Sequence, residues 1–361
     1  PKGGYSVPTS PILMRAYKDI EGNMIKDTLV VYPEGTRSST ASQLNEVLTY
    51  VRDNYPAKSY GMVFSSHATG YLPSGYYSNP KGYVYYESAA MQSLGAGRNW
   101  QDSPAVPYVE PEHDPSLPMV KSVGQDQVGT QGNYLSYEIE IDDFAKAIPM
   151  YMDYILFDAC LMGGVEVAYE LKDVCDKVCF SQTEILSGGM DYRKMAEHIF
   201  NGETADLESI ARDFYTKYAE KASSTDRSAT VSVVDCRKLD AVAEIVGRHT
   251  EAITTLAYSN KRNNVQRYFQ SSLARYHGIF YDLEDILIKS GAPESELNAL
   301  DIALDECIIC KFATPTFLTH LEIKHHSGLS MYLPDIERKT LNRYYPVLRW
   351  NKATNLITDN E

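Results

Sequence analysis

The stretch that most limits what this chain can fold into is Tyr154-Ile155-Leu156-Phe157-Asp158-Ala159-Cys160-Leu161-Met162-Gly163-Gly164. An apolar run of strand length ends in a carboxylate and a thiol, then two glycines; Val165 to Lys172 follows with apolar residues at helical spacing. This order predicts a strand, a tight turn and a helix, with Cys160 at the turn. Ligands collect at the carboxyl ends of strands in open α/β sheets, so a cysteine placed there faces a cleft. The start of the following helix favours negative charge, which lowers a thiol's pKa. The plain alternative is an inert core cysteine, because cysteine is among the most frequently buried residues.

A second strand end changes the balance. Tyr60-Gly61-Met62-Val63-Phe64-Ser65-Ser66-His67-Ala68-Thr69-Gly70 is another short apolar strand, stopping at a histidine followed by small residues. A lone histidine is most often a surface or satisfied core residue. One strand ending in histidine and a later one ending in cysteine make the pair that thiol nucleophilic catalysis uses.

At these residues the sequence resembles a known family. Ser66-His67-Ala68-Thr69-Gly70 and Phe157-Asp158-Ala159-Cys160-Leu161-Met162-Gly163-Gly164 look like the histidine and cysteine motifs of clostripain-like cysteine peptidases, bacterial relatives of gingipains, legumain and caspases. The similarity runs from about Pro11 to the region of Arg237, and the Asp-Ala-Cys block with its helix is its specific part. The resemblance implies a caspase-like α/β/α sandwich with a mostly parallel central sheet. It also implies that the backbone N–H groups of Cys160 and Ala68 hold the oxyanion, with alanine at 68 where the clan usually has glycine. Family members cut after arginine or lysine, and the resemblance puts the acidic residue two positions before the cysteine, here Asp158, in that pocket. Asp191, in the loop after the next strand, could supply a second carboxylate. A carboxylate at a pocket base pairs with a guanidinium in bidentate fashion and is left unpaired by a small apolar side chain. The alternative for Asp158 is a turn-capping aspartate satisfying local backbone donors.

Composition sets the outer limits. With 361 residues the core is not limited by size. Hydrophobic content of 43% and charged content of 23% are ordinary for a globular protein. No run approaches the roughly 18 apolar residues of a membrane helix, so no transmembrane segment is expected. A net charge of −14 argues against nucleic acid as a partner and is compatible with cationic substrates. Cysteine is sparse for the length, at six residues, which excludes a disulfide scaffold. Cys307-Ile308-Ile309-Cys310 has redox or zinc spacing but lies in an apolar helical pattern without a second ligand pair, so it reads as core. His325-His326 reads likewise, since neighbours on a strand point to opposite faces. No metal site and no cofactor are expected; calcium and the oligomeric state are left open. The chain opens at Pro1 with neither an initiator methionine nor a signal sequence, which reads as a targeting segment already removed from a secreted or bacterial cell-envelope protein.

Read in order, Ile12 to Tyr17 and Thr28 to Tyr32 flank a glycine turn and predict a hairpin. A helix follows over Ser39 to Asn54, and then comes the His67 strand. Tyr71 to Gly132 is rich in Gly, Pro, Ser and Tyr with little periodicity, and reads as a long functional loop beside the cleft. Tyr137 to Ile141 reads as a short edge strand, with Asp142 capping a helix through Ile148. Beyond Cys160, strands over Lys177 to Glu184 and Ala229 to Asp235 alternate with helices up to Ala257, which indicates a parallel sheet covered on both faces. The expected division is a catalytic domain over 1–257 and a C-terminal α+β subdomain over 258–361, ending in a strand pair of Thr316 to Ile323 and Gly328 to Leu333.

The expected function is a cysteine endopeptidase acting on proteins or peptides after Arg or Lys, with Cys160 as nucleophile and His67 as base. An enzyme of that specificity threatens its own exposed basic residues, since proteolysis concentrates at loop tips. Lys81, Arg98 and Lys121 are the basic residues of the long loop, and self-cleavage there, at Lys81 first, is the expected route of activation; the family resemblance points the same way. Two other classes compete. One is a catalytically inactive protein of the same fold serving as a surface or binding module. The other, a thiol phosphatase, is opposed by Glu166 at the sixth position after Cys160, where a phosphate-cradling arginine is required.

Overall fold

The computed structural model describes residues 10–76, 106–107, 124, 126–130, 133–268, 279–318 and 321–358. The predicted hairpin is formed by β1 (Ile12–Lys18) and β2 (Met24–Val31), paired antiparallel. Helix α1 (Ala41–Asn54) starts where the Thr40 side chain accepts from the Gln43 N–H at 3.3 Å, and its Leu44 and Leu48 pack on the core. Strand β3 (Gly61–Ser65) leads to His67.

The segment read as a structureless loop holds two strands of a small sheet. Strands β4 (Val106–Pro107) and β5 (Asp126–Thr130) lie within the segment and β6 (Asn133–Tyr137) directly follows it, paired in the order β4-β6-β5. The Thr130↔Asn133 pairing marks a tight hairpin, so closely paired strands concealed themselves in a composition dominated by turn formers. Lys81, Arg98 and Lys121 lie outside the described residues. Helix α2 (Ile141–Ala147) follows, with Asp142 in its first turn rather than at its cap.

The central sheet is built from β7 (Met152–Asp158), β8 (Cys175–Phe180) after helix α3 (Val165–Leu171), and β9 (Thr230–Asp235) after helices α4 (Tyr192–Phe200) and α5 (Leu207–Ala219). Helices α6 (Leu239–Arg248) and α7 (Thr250–Ala257) come next, then β10 (Tyr281–Asp282), α8 (Leu283–Ser290), α9 (Glu294–Cys307) and β11 (Ile308–Ala313). The chain closes with β12 (Thr316–Phe317), β13 (Leu321–Glu322), β14 (Ser330–Met331), α10 (Lys339–Tyr344) and α11 (Arg349–Thr354).

Strand order is β11-β9-β8-β7-β3. The pairs β3–β7 and β7–β8 are parallel, while β8–β9 and β9–β11 are antiparallel, so the sheet is mixed rather than parallel throughout. One helix between β7 and β8 carries the chain back to its starting end. Two helices between β8 and β9 return it to the end it left, and β9 therefore runs the other way.

Side chains alternate across the sheet with period two. Ile155, Phe157, Val178 and Phe180 enter one apolar cluster with Phe144, Val167 and Val242; Leu156, Cys179, Val231 and Val233 enter a second with Ile210, Phe214 and Tyr218. Each such buried side chain is worth about 1.5–3 kcal/mol, so the layers on both faces fix the strand ends against movement. The first cluster also takes Leu283, Ile286, Leu304 and Trp350, and 258–361 adds the edge strand β11 to the sheet itself.

Two local readings are corrected here. Cys307 ends α9 and Cys310 lies in β11, because the β-branched pair Ile308-Ile309 favours extended backbone and breaks the helical pattern. The expected terminal strand pair does not form: β12 and β13 pair with each other, and β14 pairs with β10.

Candidate active site

Ser65 stands opposite Asp158 in the parallel β3–β7 pairing, and the Ser66 N–H donates to the Asp158 carbonyl at 3.3 Å. His67 and Cys160 each lie two residues further on, past the carboxyl ends of neighbouring parallel strands. The two connecting loops touch: at Gly70, φ is +65°, and a β-carbon there would sit 2.6 Å from the Leu161 carbonyl. Gly124 returns to the same place, donating its N–H to the His67 carbonyl at 2.7 Å, so the long segment after His67 comes back beside the site. Ala68 is fully buried.

Leu161 directly follows the cysteine and holds φ at +60°, a left-handed conformation rare for a branched residue. Its N–H is tied to the Thr183 carbonyl at 2.9 Å, and the Gly163 N–H to the Ser181 carbonyl at 2.7 Å, which straps the turn to the chain beyond β8. These bonds hold the strained turn that presents Cys160.

Cys160 is 6% exposed. Ile185 covers it, with its N–H 3.3 Å from Sγ and its carbonyl 3.7 Å away. Burial pushes the Cys160 thiol up to about 12, the Ile185 N–H acts in the opposite direction, and the charges of Glu184 and Asp158 add to the rise. This reverses the expectation of a helix-lowered thiol: α3 begins only at Val165, and loss of water outweighs the helix start.

The side-chain bonds of Asp158, which is 7% exposed, go to hydroxyls. Ser65 Oγ donates to its Oδ2 at 2.9 Å and Tyr192 OH to the same oxygen at 2.7 Å. These are side chains of β3 and α4, not the local backbone donors of a turn cap. Asp191 caps α4, its Oδ1 accepting from the Lys194 N–H at 3.3 Å. A residue at the start of a helix is drawn to the free N–H groups there.

Ser65, Tyr192, Ile185 and Glu184 were not singled out from sequence, although each lies at or within two residues of an element end or motif that was. Glu184 is 4% exposed, and its Oε2 has no hydrogen-bond partner among the described residues. Burial raises its carboxyl from 4.5 to about 8. Between those values the folded carboxyl keeps its proton while the unfolded one releases it. Its contribution to stability is therefore full below 4.5 and is lost as pH rises through about 8. Glu184→Gln is expected to raise the melting temperature relative to the parent progressively from about pH 5 to about pH 9; parallel curves over that range would refute the assignment.

Elsewhere, His325 Nε2 meets Glu284 Oε2 at 2.7 Å and Asp282 Oδ1 at 3.6 Å, whereas His326 Nδ1 pairs with Tyr268 OH at 2.9 Å. Asp282, Glu284 and His325 bring ligand atoms within 4.8 Å of one another, a grouping able to hold a metal ion. Asp282 is nevertheless engaged by Tyr268 OH at 2.6 Å and by the Ser327 N–H and Oγ at 2.8 and 2.9 Å, as a brace between β10 and the 325–327 segment.

No curated protein matches the chain. Among solved structures, an inactive zymogen C11 protease from Parabacteroides distasonis is 26% identical, with a TM-score of 0.70, 96% of this chain and 84% of that one being covered. A secreted C11 cysteine protease from Bacteroides thetaiotaomicron is 24% identical, with a TM-score of 0.68 and coverage of 96% and 85%, and shares the fold. A clostripain from Bacteroides thetaiotaomicron in complex with the peptide inhibitor BTN-VLTK-AOMK is 28% identical, with a TM-score of 0.52, over 60% of this chain and 95% of that one. The model of the clostripain family matches residues 110–355, well over half the sequence. With its caspase-like mixed sheet and a cysteine presented at the end of β7, the chain belongs to the clostripain family of cysteine peptidases.

Proposed function

We propose that this peptidase cuts proteins and peptides after arginine or lysine, with Cys160 as nucleophile, His67 as general base and Asp158 at the base of the pocket for the basic side chain. The observation that carries this reading is the environment of Asp158. It is buried two residues before Cys160, its bonds come from two neutral hydroxyls, and no cation pairs with it among the described residues. A carboxylate held in that way is completed by an incoming guanidinium or ammonium. The lysine that ends the VLTK peptide bound to a clostripain relative supports the same preference.

Because the buried thiol holds its proton at neutral pH, attack requires His67 to remove it. The sulfur then adds to the scissile carbonyl, and His67 passes the proton to the departing amine. Water, deprotonated by His67, releases the acyl group from Cys160. The backbone N–H groups of Cys160 and Ala68 are assigned to the oxyanion. Nucleophile and base are both side chains, so the reading assigns no cofactor.

Activation is assigned to self-cleavage at Lys81, Arg98 or Lys121, supported by the zymogen state of a relative and by the return of the long segment to His67 at Gly124. Secretion or residence at the bacterial cell envelope is proposed from the secreted relative, and no helix among the described residues is long and apolar enough to cross a membrane.

Fluorogenic peptides ending in arginine, lysine or aspartate test the specificity, with intact-mass analysis of the same samples testing the processing. Hydrolysis of the first two alone is expected, with fragments of the wild-type chain ending at Lys81, Arg98 or Lys121 and an intact Cys160→Ala variant. Preferential hydrolysis of the aspartate peptide would overturn the specificity, and fragmentation of both proteins alike would overturn the processing.

A further inference from the structure

The loop between β8 and α4 forms one wall of the site. It begins with Ile185 over the Cys160 sulfur and ends at Tyr192, whose hydroxyl donates to Asp158. The loop is anchored by Leu186 and Met190, buried in the second apolar cluster, and by the Gly189 N–H donating to the Leu186 carbonyl at 2.8 Å, but its tip of Ser187, Gly188 and Gly189, the last at φ +54°, has no side chain to stiffen it. Gly189 also packs so closely on the Tyr192 hydroxyl that a β-carbon would collide with it, and that same β-carbon would lie 3.5 Å from Asp158 Oδ1.

The carbonyls of this tip are held from outside, by α5. Lys217 Nζ donates to three successive carbonyls, Gly188 at 2.7 Å, Gly189 at 3.1 Å and Met190 at 3.1 Å. The neighbouring Tyr218, 2% exposed, donates its hydroxyl to the Gly189 carbonyl at 3.0 Å and the Leu186 carbonyl at 3.3 Å. An ammonium has three protons, and here three carbonyls receive them. Carbonyl dipoles converging on one point repel each other unless a cation sits among them, and charge-assisted hydrogen bonds are the strong ones. No carboxylate pairs with Lys217 among the described residues, so its charge is directed at this loop rather than at an ordinary surface ion pair.

We propose that Lys217 is a positioning residue for substrate specificity: a built-in cation that gathers the 188–190 carbonyls and so keeps Gly189 and Tyr192 in place against Asp158. This rests on the reading of Asp158 as the base of the basic-residue pocket. Without the cation the carbonyls splay, Gly189 shifts, and the Tyr192 hydroxyl leaves a carboxylate whose orientation decides how a guanidinium docks. The nucleophile is held separately, by the bonds of Leu161 and Gly163 to Thr183 and Ser181, so loosening the loop acts on binding before chemistry.

Lys217→Met removes the charge and keeps the aliphatic stem; Lys217→Arg keeps the charge but presents a planar fork to a trigonal set of acceptors. For Lys217→Met, KM on the better basic peptide is expected to rise at least about tenfold with kcat within about threefold, a split that marks lost binding. Alkylation of Cys160 by iodoacetamide should stay within about twofold of wild type. Amide exchange over 186–190 should quicken. Lys217→Arg should fall between the two. Unchanged KM in Lys217→Met overturns the proposal. So does a joint fall of kcat, alkylation rate and melting temperature, which would make Lys217 a prop of the fold only. If the wild type cleaves neither basic peptide, the specificity reading fails on its own; Lys217 is then judged by amide exchange, and unaltered exchange over 186–190 overturns its role as well.

Discussion

Cys160→Ala and His67→Ala each reduce peptide hydrolysis by at least about 10³-fold, the range lost with a nucleophile or general base, while the melting temperature barely moves. Both residues stand past strand ends whose positions are fixed by the apolar layers below, with Ser65 and Asp158 paired in register behind them. The alanine at 160 removes one sulfur whose hydrogen-bond contacts are with Ile185, a loss of about 1 kcal/mol or less. His67 is only half-buried, so its removal opens little cavity. Turnover near wild type in either variant, checked at saturating substrate, would show that the assigned pair is wrong. A large drop in melting temperature would show instead that the residue belongs to the core.

Asp158→Asn separates pocket from nucleophile. Loss of a buried charge partner for the substrate should lower kcat/KM on arginine and lysine peptides by about 2–4 kcal/mol, which is roughly 30-fold to 1,000-fold. Asparagine still accepts the hydroxyls of Ser65 and Tyr192, so the local packing has no reason to collapse. The sign of the effect on the thiol is opposite. The negative charge of Asp158 contributes to the rise of the Cys160 thiol, so its removal makes the sulfur easier to ionise, and alkylation by iodoacetamide should hold steady or quicken. Equal losses in hydrolysis and alkylation would assign Asp158 to support of the turn.

How much of this was legible in the sequence depended on whether the information was local. The strand, turn and helix around Cys160 were, because an apolar run, two glycines and a change of period lie within twenty residues. So were the placement of His67 and Cys160 past strand ends, the hairpin and helix α1. The direction of β9 was not, since it depends on whether one or two helices intervene and on which face they pack. Nor was the raised thiol: the helix start that favours a thiolate is visible in sequence, but the burial that outweighs it is set by how the surrounding chain packs, which no local stretch reveals. The cap that Asp191 makes on α4 was likewise not read, because the start of that helix follows a glycine-containing loop with little periodicity. Lys217 had no sequence signal at all, because a lysine near the end of an amphipathic helix reads as a solvated surface residue until its three carbonyls are seen.

One measurement bears most directly on the claim that Cys160, worked by His67, attacks substrates chosen by Asp158. A short peptide ending in arginine and carrying an electrophilic ketone is incubated with the wild type, His67→Ala and Asp158→Asn, and the adduct is mapped by mass spectrometry. The account predicts one adduct on the wild type, at Cys160, formed far more slowly in both variants. An adduct on Cys175, Cys179, Cys236, Cys307 or Cys310, or equal labelling of all three proteins at Cys160, would contradict it.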